Sequence, residues 1–186
     1  MALRPAPPRW WLALGLVVIG NLAARAQPAE PESYRMDDYR SPTPETVIGG
    51  VVLNTDSAHK LWAKENAVWI DVLPAQRRPA NLPPSALWMP LPHRDIPGSV
   101  WLPEIGRGAL SPQLEAYFRD HLAAATKGRH DAPVVFYCLA DCWMSWNAAK
   151  RAALWGYTRV YWYRDGTDGW EAAKFPMESA EPVPGP

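Results

Sequence analysis

Short apolar runs alternate with helical segments along most of this chain, and that alternation restricts the folds open to it. Apolar runs with the length and composition of strands occupy residues 47–53, 67–73, 99–103, 133–138 and 159–163. Segments with a helix-capping residue or a closing glycine lie between them, at residues 55–66, 111–128 and 145–156. Strands that alternate with helices of this length predict βαβ units. The sequence therefore predicts an α/β fold, a central parallel sheet covered by helices on both faces.

Two segments fall outside this pattern. Residues 74–98 are rich in proline and predict a long ordered loop. The sequence DGTDGW at 165–170 predicts a turn that ends in a packed tryptophan. We expect Trp146, Trp155 and Trp162 to pack helix against sheet, because large aromatic side chains near apolar runs contribute mainly to cores.

The N-terminus has the three parts of a secretory signal peptide. Arg4 and Arg9 supply positive charge, the apolar run WWLALGLVVIG follows, and Ala-Arg-Ala at 24–26 has the form of a cleavage site. A membrane anchor is the alternative, but the apolar run is shorter than the roughly 20 residues that a transmembrane helix needs. We therefore predict a cleaved signal over residues 1–26 and no membrane association after cleavage.

The rest of the chain divides into a folded domain and two flanking segments. Residues 27–45 are rich in Pro, Glu and Ser and predict a flexible arm, and residues 176–186 predict a flexible tail. The folded domain then spans residues 46–175. The chain has 19 basic and 19 acidic residues without a basic stripe, so nucleic acid is not an expected partner.

Cys138 is the last residue of a predicted strand and is followed by the loop that leads into a predicted helix. Ligands bind at the carboxyl ends of strands in parallel sheets, and the unpaired N–H groups at a helix start favour an anion. A thiolate at this position is stabilised, so the pKa of the Cys138 thiol should fall. A lowered thiol pKa favours a role as a nucleophile. The alternative is an inert cysteine, buried where a strand happens to end.

Cys142 follows four residues later. Positions i and i+4 of a regular helix place Cβ atoms about 5–6 Å apart, whereas a disulfide requires about 3.5–4.5 Å. We therefore predict an irregular loop over residues 138–143, with the helix beginning near Met144 or Ser145. A disulfide around so short a loop adds little stability, which favours redox or sulfur chemistry over a static disulfide, although both interpretations stay open.

A metal site is the least favoured interpretation of the cysteine pair, because tetrahedral zinc needs four ligands. Four histidines show no ligand spacing with the pair, and we interpret them as surface or loop residues: His59, His93, His121 and His130. Neither a metal nor a bound cofactor is expected. Asp141, between the cysteines, opposes thiolate formation, and the loop contains no cation that would hold an anionic substrate.

Three segments, in their order and spacing, resemble a rhodanese domain. VVFYC with its loop, helix and GYTRVYWYRDGTDGW is similar to the C-terminal half of that domain. WIDVL is similar to its strand ending in Asp-Val-Arg, and DIPGSVWLP to its His-Ile-Pro-Gly-Ala segment. The resemblance covers residues 46–173. It implies that Cys138 accepts a sulfane sulfur as a persulfide, held by loop N–H groups, and that Asp71 supports the active-site region.

The chain departs from the rhodanese pattern at four positions that bear on activity. The arginine of the Asp-Val-Arg triplet is Leu73, and the histidine before Ile-Pro-Gly is Asp95. In the Cys-x-x-Gly-x-Arg loop the glycine is Asp141 and the arginine is Trp143. Because the loop arginine helps to bind an anionic donor in that family, ordinary thiosulfate sulfurtransferase activity is not expected.

The pattern Cys-x-x-x-Cys-Trp, followed by MSWNAAKRA, is similar to that of a narrower family. Its members are exported rhodanese-like proteins named for a cysteine–tryptophan (CXXCW) motif and associated with pyrroloquinoline quinone (PQQ)-dependent alcohol catabolism. The resemblance implies a periplasmic protein with a quinoprotein alcohol dehydrogenase or its cytochrome as a partner. We expect a substrate or partner to contact five loop residues: Leu139, Ala140, Asp141, Trp143 and Met144.

Two functions from different classes are compatible with these residues. In the first, Cys138 is the nucleophile and Cys142 the resolving thiol of a protein that acts on a small sulfur or thiol substrate. In the second, the rhodanese fold is a non-catalytic module that docks a quinoprotein dehydrogenase, a cytochrome or a planar ligand. The tryptophan in place of the loop arginine favours the second function.

Overall fold

The structure is a computed structural model that describes Met1, residues 27–64 and residues 66–186. Apart from Met1, the predicted signal segment therefore lies outside the described residues. Within the described ranges, no helix combines the length and the apolar character that a membrane crossing requires.

Five parallel strands form the central sheet. The strands of the chain are β1 (Gly50–Leu53), β2 (Val68–Asp71), β3 (His93–Asp95), β4 (Ser99–Trp101), β5 (Val134–Tyr137), β6 (Val160–Tyr163) and β7 (Glu178–Ala180). The sheet has the order β1-β6-β5-β2-β4, and each neighbouring pair is parallel. Each of the five predicted runs contains one of these strands, so the predicted parallel sheet is confirmed.

Helices cover both faces of the sheet, as predicted. They are α1 (Thr55–Trp62), α2 (Pro112–Thr126), α3 (Trp143–Leu154) and α4 (Gly166–Ala172). Side chains alternate along β5: Val134 and Phe136 pack in the core beneath α2 and α3, whereas Val135 and Tyr137 pack with α1 and α4. Because both faces of β5 are buried, the strand is apolar throughout rather than alternating with polar residues.

The helix boundaries follow local capping chemistry with two differences from the predictions. Ser111, the first residue of the segment predicted at 111–128, caps α2, whereas α1 is capped by Asn54, one residue before the segment predicted at 55–66. The turn predicted at residues 165–170 is wrong, because α4 begins at Gly166, and only two residues separate it from β6. A helical turn carries Trp170 back under the sheet, where its side chain is fully buried among the residues of α1.

The arm, residues 27–45, packs along α3, although its composition predicted a flexible segment. Asn147, fully buried in the middle of α3, accepts a hydrogen bond from the N–H of Arg35 at 2.9 Å and donates to its carbonyl at 2.8 Å. Lys150 donates to the carbonyl oxygens of Pro31 and Glu32 at 2.7 and 2.6 Å. Buried polar groups need such partners, so the arm's backbone satisfies the polar side chains of a buried helix.

The tail also makes specific contacts with the domain. Strand β7 pairs antiparallel with β3, outside the central sheet. Beyond it, Val183 donates its N–H to the carbonyl of Trp101 at 3.0 Å and accepts a hydrogen bond from the Tyr117 hydroxyl at 3.0 Å. The tail therefore closes one side of the sheet's carboxyl edge, a contact that its proline-rich composition did not indicate.

Candidate active site

A cavity of about 870 Å³ lies at the carboxyl edge of the central sheet. Its walls include the residues that follow β2 and β5, the end of β4 and the start of α3. Three segments outside the sheet complete the walls: the arm, the proline-rich loop and the tail. Ligands of open parallel sheets bind at this edge, so the cavity is the candidate active site.

Both cysteines reach the wall of this cavity, although their exposed fractions are 1% for Cys138 and 3% for Cys142. Cys138 directly follows β5, and Cys142 is the residue before α3. Their Sγ atoms are 2.7 Å apart, and the residues are free thiols. Since a disulfide bond is about 2.05 Å long, the sulfurs need to approach by under about 1 Å to bond. The two sulfurs are therefore as close as the sequence led us to expect.

The negative charge of this pair is favoured at Cys142 rather than at Cys138. Hydrogen bonding from Cys138 lowers the pKa of Cys142 to about 7, and the main-chain amides of Met144 and Ser145 act in the same direction against the effect of burial. Burial first, then the Cys142 sulfur and Asp71, raises the pKa of Cys138 well above its ordinary value. The predicted fall in the Cys138 pKa is wrong, because the helix-start amides lie at the second cysteine.

Two of the five predicted contact residues line the cavity, Leu139 and Met144. Ala140 instead donates its N–H to the Asp168 carboxylate at 3.0 Å. Asp141 is exposed and has a left-handed backbone conformation, with φ of 51°. Asp141 thus turns the chain between the two cysteines and lies outside the cavity wall.

Trp143 packs in the core and does not line the cavity, so its predicted place at the pocket is wrong. Its exposed fraction is 2%, its Nε1 donates to the carbonyl of Pro42 at 3.2 Å, and its ring meets Trp146 edge-on. Its N–H donates to the carbonyl of Tyr39 at 2.9 Å. Because α3 begins at Trp143, one residue earlier than predicted, the side chain anchors the arm. The cavity's tryptophan is Trp101 instead.

Asp71, which the resemblance places in a supporting role, is fully buried at the end of β2 and holds His93. Asp71 Oδ1 accepts the N–H of Leu73 at 2.8 Å, and Oδ2 lies 2.7 Å from His93 Nε2. His93 is on β3, lines the cavity and packs against Trp101 with ring centroids 4.1 Å apart. Our interpretation of His93 as a surface or loop residue is wrong. Strand β3 lies inside the segment predicted as a loop at 74–98, so no pattern in the sequence indicated this role.

Two arginines from outside the cysteine loop, Arg40 and Arg107, line the cavity. Arg40 forms an isolated antiparallel bridge with Cys142, which places the arm beside the sulfur pair. Arg107 donates to Glu104 at 2.6 Å and Arg40 lies 3.8 Å from the Asp168 carboxylate, so both charges are partly compensated. The cysteine loop contains no cation, as the sequence shows, but the arm and the segment after β4 bring positive charge to the same cavity. These walls suit a ligand with an apolar body and an anionic group.

Asp95 is a buried carboxyl group beside this site. Its exposed fraction is 2%, and its Oδ1 has no hydrogen-bond partner among the described residues. Burial first, then the charge of Asp71, raises the pKa of Asp95 to about 7. Although Asp71, His93 and Asp95 are neighbours, the described part of the chain has no group of three or more His, Cys, Asp or Glu residues arranged to hold a metal ion.

A family model and a solved structure are similar to this chain. The family model described as "Rhodanese-like domain" matches residues 54–173, a segment that contains both cysteines, Asp71 and His93. Among solved structures, the chain is similar to the polysulfide-sulfur transferase homodimer from Wolinella succinogenes, at 21% sequence identity and a TM-score of 0.44, over 70% of this chain and 79% of that chain. No curated protein sequence matches the chain. Because the family model spans most of the chain, this protein belongs to the rhodanese-like domain family.

Proposed function

We propose that this protein acts on small sulfur compounds, and that Cys138 and Cys142 exchange between dithiol and disulfide through a persulfide or mixed disulfide. The observation that supports the proposal most is the 2.7 Å separation of the two sulfurs at the wall of a cavity of about 870 Å³. A structural disulfide needs no adjoining cavity, and an inert buried cysteine needs no second sulfur in contact with it.

The reaction begins with a sulfur–sulfur bond in the substrate, R–S–S–R′, in which R′ is an organic group or hydrogen. The Cys142 thiolate attacks the sulfur that carries R′, and the electron pair of the broken bond leaves with R–S⁻. Cys138 then loses its proton and attacks Cys142 Sγ, which forms the disulfide and releases R′–S⁻. The substrate gains two electrons and the cysteine pair loses two. A second small thiol reduces the pair again by the same exchange.

The structure favours the opposite order of attack from the one that the family resemblance implies. The resemblance gives the first attack to Cys138, but the lowered pKa of Cys142, about 7, gives it a larger thiolate fraction than Cys138 at neutral pH. Burial keeps the pKa of Cys138 high, so Cys138 donates a hydrogen bond to that thiolate until it acts as the resolving thiol. We therefore propose Cys142 as the first nucleophile and retain Cys138 as the alternative for the experiment to exclude.

The cellular setting is also part of the proposal. The signal-like N-terminus supports export to the periplasm, where a cysteine pair can cycle through a disulfide. The similarity of Cys-x-x-x-Cys-Trp to the PQQ-associated family supports a role beside a quinoprotein alcohol dehydrogenase or its cytochrome. Fractionation of the source cells tests the location, and co-purification of a quinoprotein or a cytochrome tests the partner.

Intact-mass spectrometry of the reduced, purified chain tests the chemistry. The protein is mixed with glutathione persulfide or with glutathione disulfide, and the products are followed over time. We expect a transient adduct of one sulfur atom or one glutathione, and then the loss of two hydrogen atoms as the disulfide closes. Cys142→Ser should prevent the adduct, and Cys138→Ser should trap it. If neither compound changes the mass of the wild-type protein, the proposed chemistry is wrong; the reverse pattern of variants would make Cys138 the nucleophile.

A non-catalytic binding module is the second candidate, and the near-complete burial of both sulfurs supports it. In that case the domain presents its cavity to a quinoprotein dehydrogenase, its cytochrome or a planar ligand. The double variant Cys138→Ser/Cys142→Ser separates the two functions. A binding module should still bind its partner and support growth on alcohol with both sulfurs removed, whereas a thiol protein that is folded but lacks them should not.

A further inference from the structure

We infer that His93, oriented by Asp71, donates the proton to the thiolate that leaves when the cysteine pair attacks a sulfur–sulfur bond. This inference rests on the proposed function and adds a catalytic residue to it. Neither the loop motif nor the cysteine spacing indicates this histidine, because it lies on β3, far from the loop in sequence.

The hydrogen bonds of Asp71 fix the direction of the His93 ring. Both carboxylate oxygens are occupied, one by the N–H of Leu73 at 2.8 Å and one by His93 Nε2 at 2.7 Å. An ionised carboxylate only accepts hydrogen bonds, so Nε2 carries the donated hydrogen and Nδ1 is the nitrogen that gains or loses a proton. Contact with Trp101, at 4.1 Å between ring centroids, holds the ring in place from the side.

The second ring nitrogen of His93 remains available for a ligand. Within the described ranges His93 Nδ1 forms no hydrogen bond. This nitrogen is also not one of the buried polar atoms that lack a partner. The His93 side chain is 14% exposed and lines the cavity. A group that is held at one nitrogen and open at the other is arranged for proton transfer to a bound molecule.

The same cavity wall contains the cysteine pair. Strands β2 and β5 are adjacent, with Asp71 paired to Tyr137, and Cys138 is the next residue. Asp71, whose carboxylate holds His93, is thus paired across the sheet with the residue that directly precedes Cys138. A substrate whose sulfur–sulfur bond meets Cys142 therefore has its departing end within the cavity that His93 lines.

Charged groups from several elements surround His93. Two carboxyl groups lie near it, Asp71 on β2 and Asp95 on β3, and Glu178 on β7 pairs with Asp95. The charged residues elsewhere in the cavity wall are Arg40, Arg107 and Glu181. Asp71 is the one in direct contact with the ring, 2.7 Å from Nε2.

Protons and electrons balance over the two steps. As Cys142 attacks, the electron pair of the substrate's sulfur–sulfur bond moves to the departing sulfur, and His93 Nδ1 donates its proton to give R–SH. His93 is then neutral. When Cys138 attacks Cys142, its proton passes to His93 Nδ1, and the ring is ready for another substrate molecule.

Two disulfides with different leaving groups test this role. Expulsion of an alkyl thiolate from 2-hydroxyethyl disulfide needs a proton, whereas the thionitrobenzoate released from 5,5′-dithiobis(2-nitrobenzoate) is a stable anion without one. We expect His93→Gln to slow the first reaction by about 100-fold, in the range of general acid catalysis. The second reaction should change by less than about three-fold, since its leaving group has a low pKa. Asp71→Asn should give the same pattern with a smaller loss.

His130→Gln is the matched control, because His130 stacks on Tyr157 and does not line the cavity. It should leave both rates unchanged. If His93→Gln slows both disulfides equally, or neither, the proton-transfer role is overturned while the sulfur chemistry remains. A wild-type protein that reacts with neither disulfide overturns the proposed function and this inference with it, so the two failures give different results.

Discussion

Replacing Asp95 with asparagine should make the stability of this protein less dependent on pH. The carboxyl group is almost fully buried, and burial, together with Asp71 and Glu178, raises its pKa to about 7. In the unfolded chain an aspartate titrates near pH ~3.9. Between these two values the folded state binds more protons than the unfolded state. The free energy of unfolding therefore falls as the pH rises from about 4 to about 7, and the penalty is complete above that range.

The size of this penalty follows from the shift of about three pKa units, at about 1.36 kcal/mol for each unit. Linkage gives a penalty of about 1.5 kcal/mol at pH 5 and about 4 kcal/mol at pH 8 as upper limits. Asparagine has nearly the same shape as a protonated carboxyl group and cannot ionise. The Asp95→Asn variant should therefore gain stability over the wild type, and that gain should grow by about 2–3 kcal/mol between pH 5 and pH 8.

Urea denaturation followed by tryptophan fluorescence measures this difference, since the chain contains 11 tryptophans. Unfolding curves are recorded for both proteins at several pH values from 5 to 8. The control is Asp131→Asn, which removes a carboxyl group from an exposed position between α2 and β5. Parallel pH profiles for Asp95→Asn and wild type would refute the argument, because the buried carboxyl would then contribute nothing to the pH dependence.

Two further substitutions and one deletion test the contacts that shape the site. Asn147→Ala should lower the free energy of unfolding by about 3 kcal/mol in urea denaturation, because it leaves the part-buried backbone groups of Arg35 and the buried carbonyl of Gly106 without their partner; an unchanged midpoint would contradict this role. Gly166→Ala should destabilise the protein much more than Gly128→Ala. Both have positive φ, but a Cβ at Gly166 would lie 2.3 Å from the carbonyl oxygen of Cys138, whereas Gly128 has open space. Deletion of residues 178–186 should speed thiol alkylation about ten-fold or more by opening the cavity, since local opening controls access to buried groups; an unchanged rate would contradict it.

The sheet and the place of Cys138 could be predicted because local patterns determine them. Residues of β5 such as Val134 and Val135 are apolar on both faces, and each strand is followed by a segment with helix signals. In a parallel sheet the residue after such a strand must lie at the carboxyl edge. The proximity of Cys142 follows in turn from the short loop between strand and helix.

The rest of the site depends on contacts between distant segments, which local patterns do not specify. The hydrogen bond between Asn147 and Arg35 joins residues 112 positions apart. Neither the polar side chain in a buried helix nor the ordered proline-rich arm can therefore be predicted without the other. His93 enters the site by the same kind of contact, through Asp71 on another strand. The shift of charge from Cys138 to Cys142 depends on where α3 begins, and helix starts are uncertain by a residue or two from sequence alone.

Alkylation of each cysteine as a function of pH tests the arrangement of the sulfur pair most directly. The reduced protein is treated with iodoacetamide at a series of pH values, and peptide mass spectrometry gives a separate rate for Cys138 and Cys142. Cys142 should react first, with a midpoint near the pKa of about 7 that its partner thiol and the α3 amides give it. Cys138→Ala should move that midpoint upward, since it removes the thiol that donates a hydrogen bond to the thiolate. Preferential reaction of Cys138 at neutral pH, or no reaction of Cys142 below the ordinary thiol range, would contradict the arrangement.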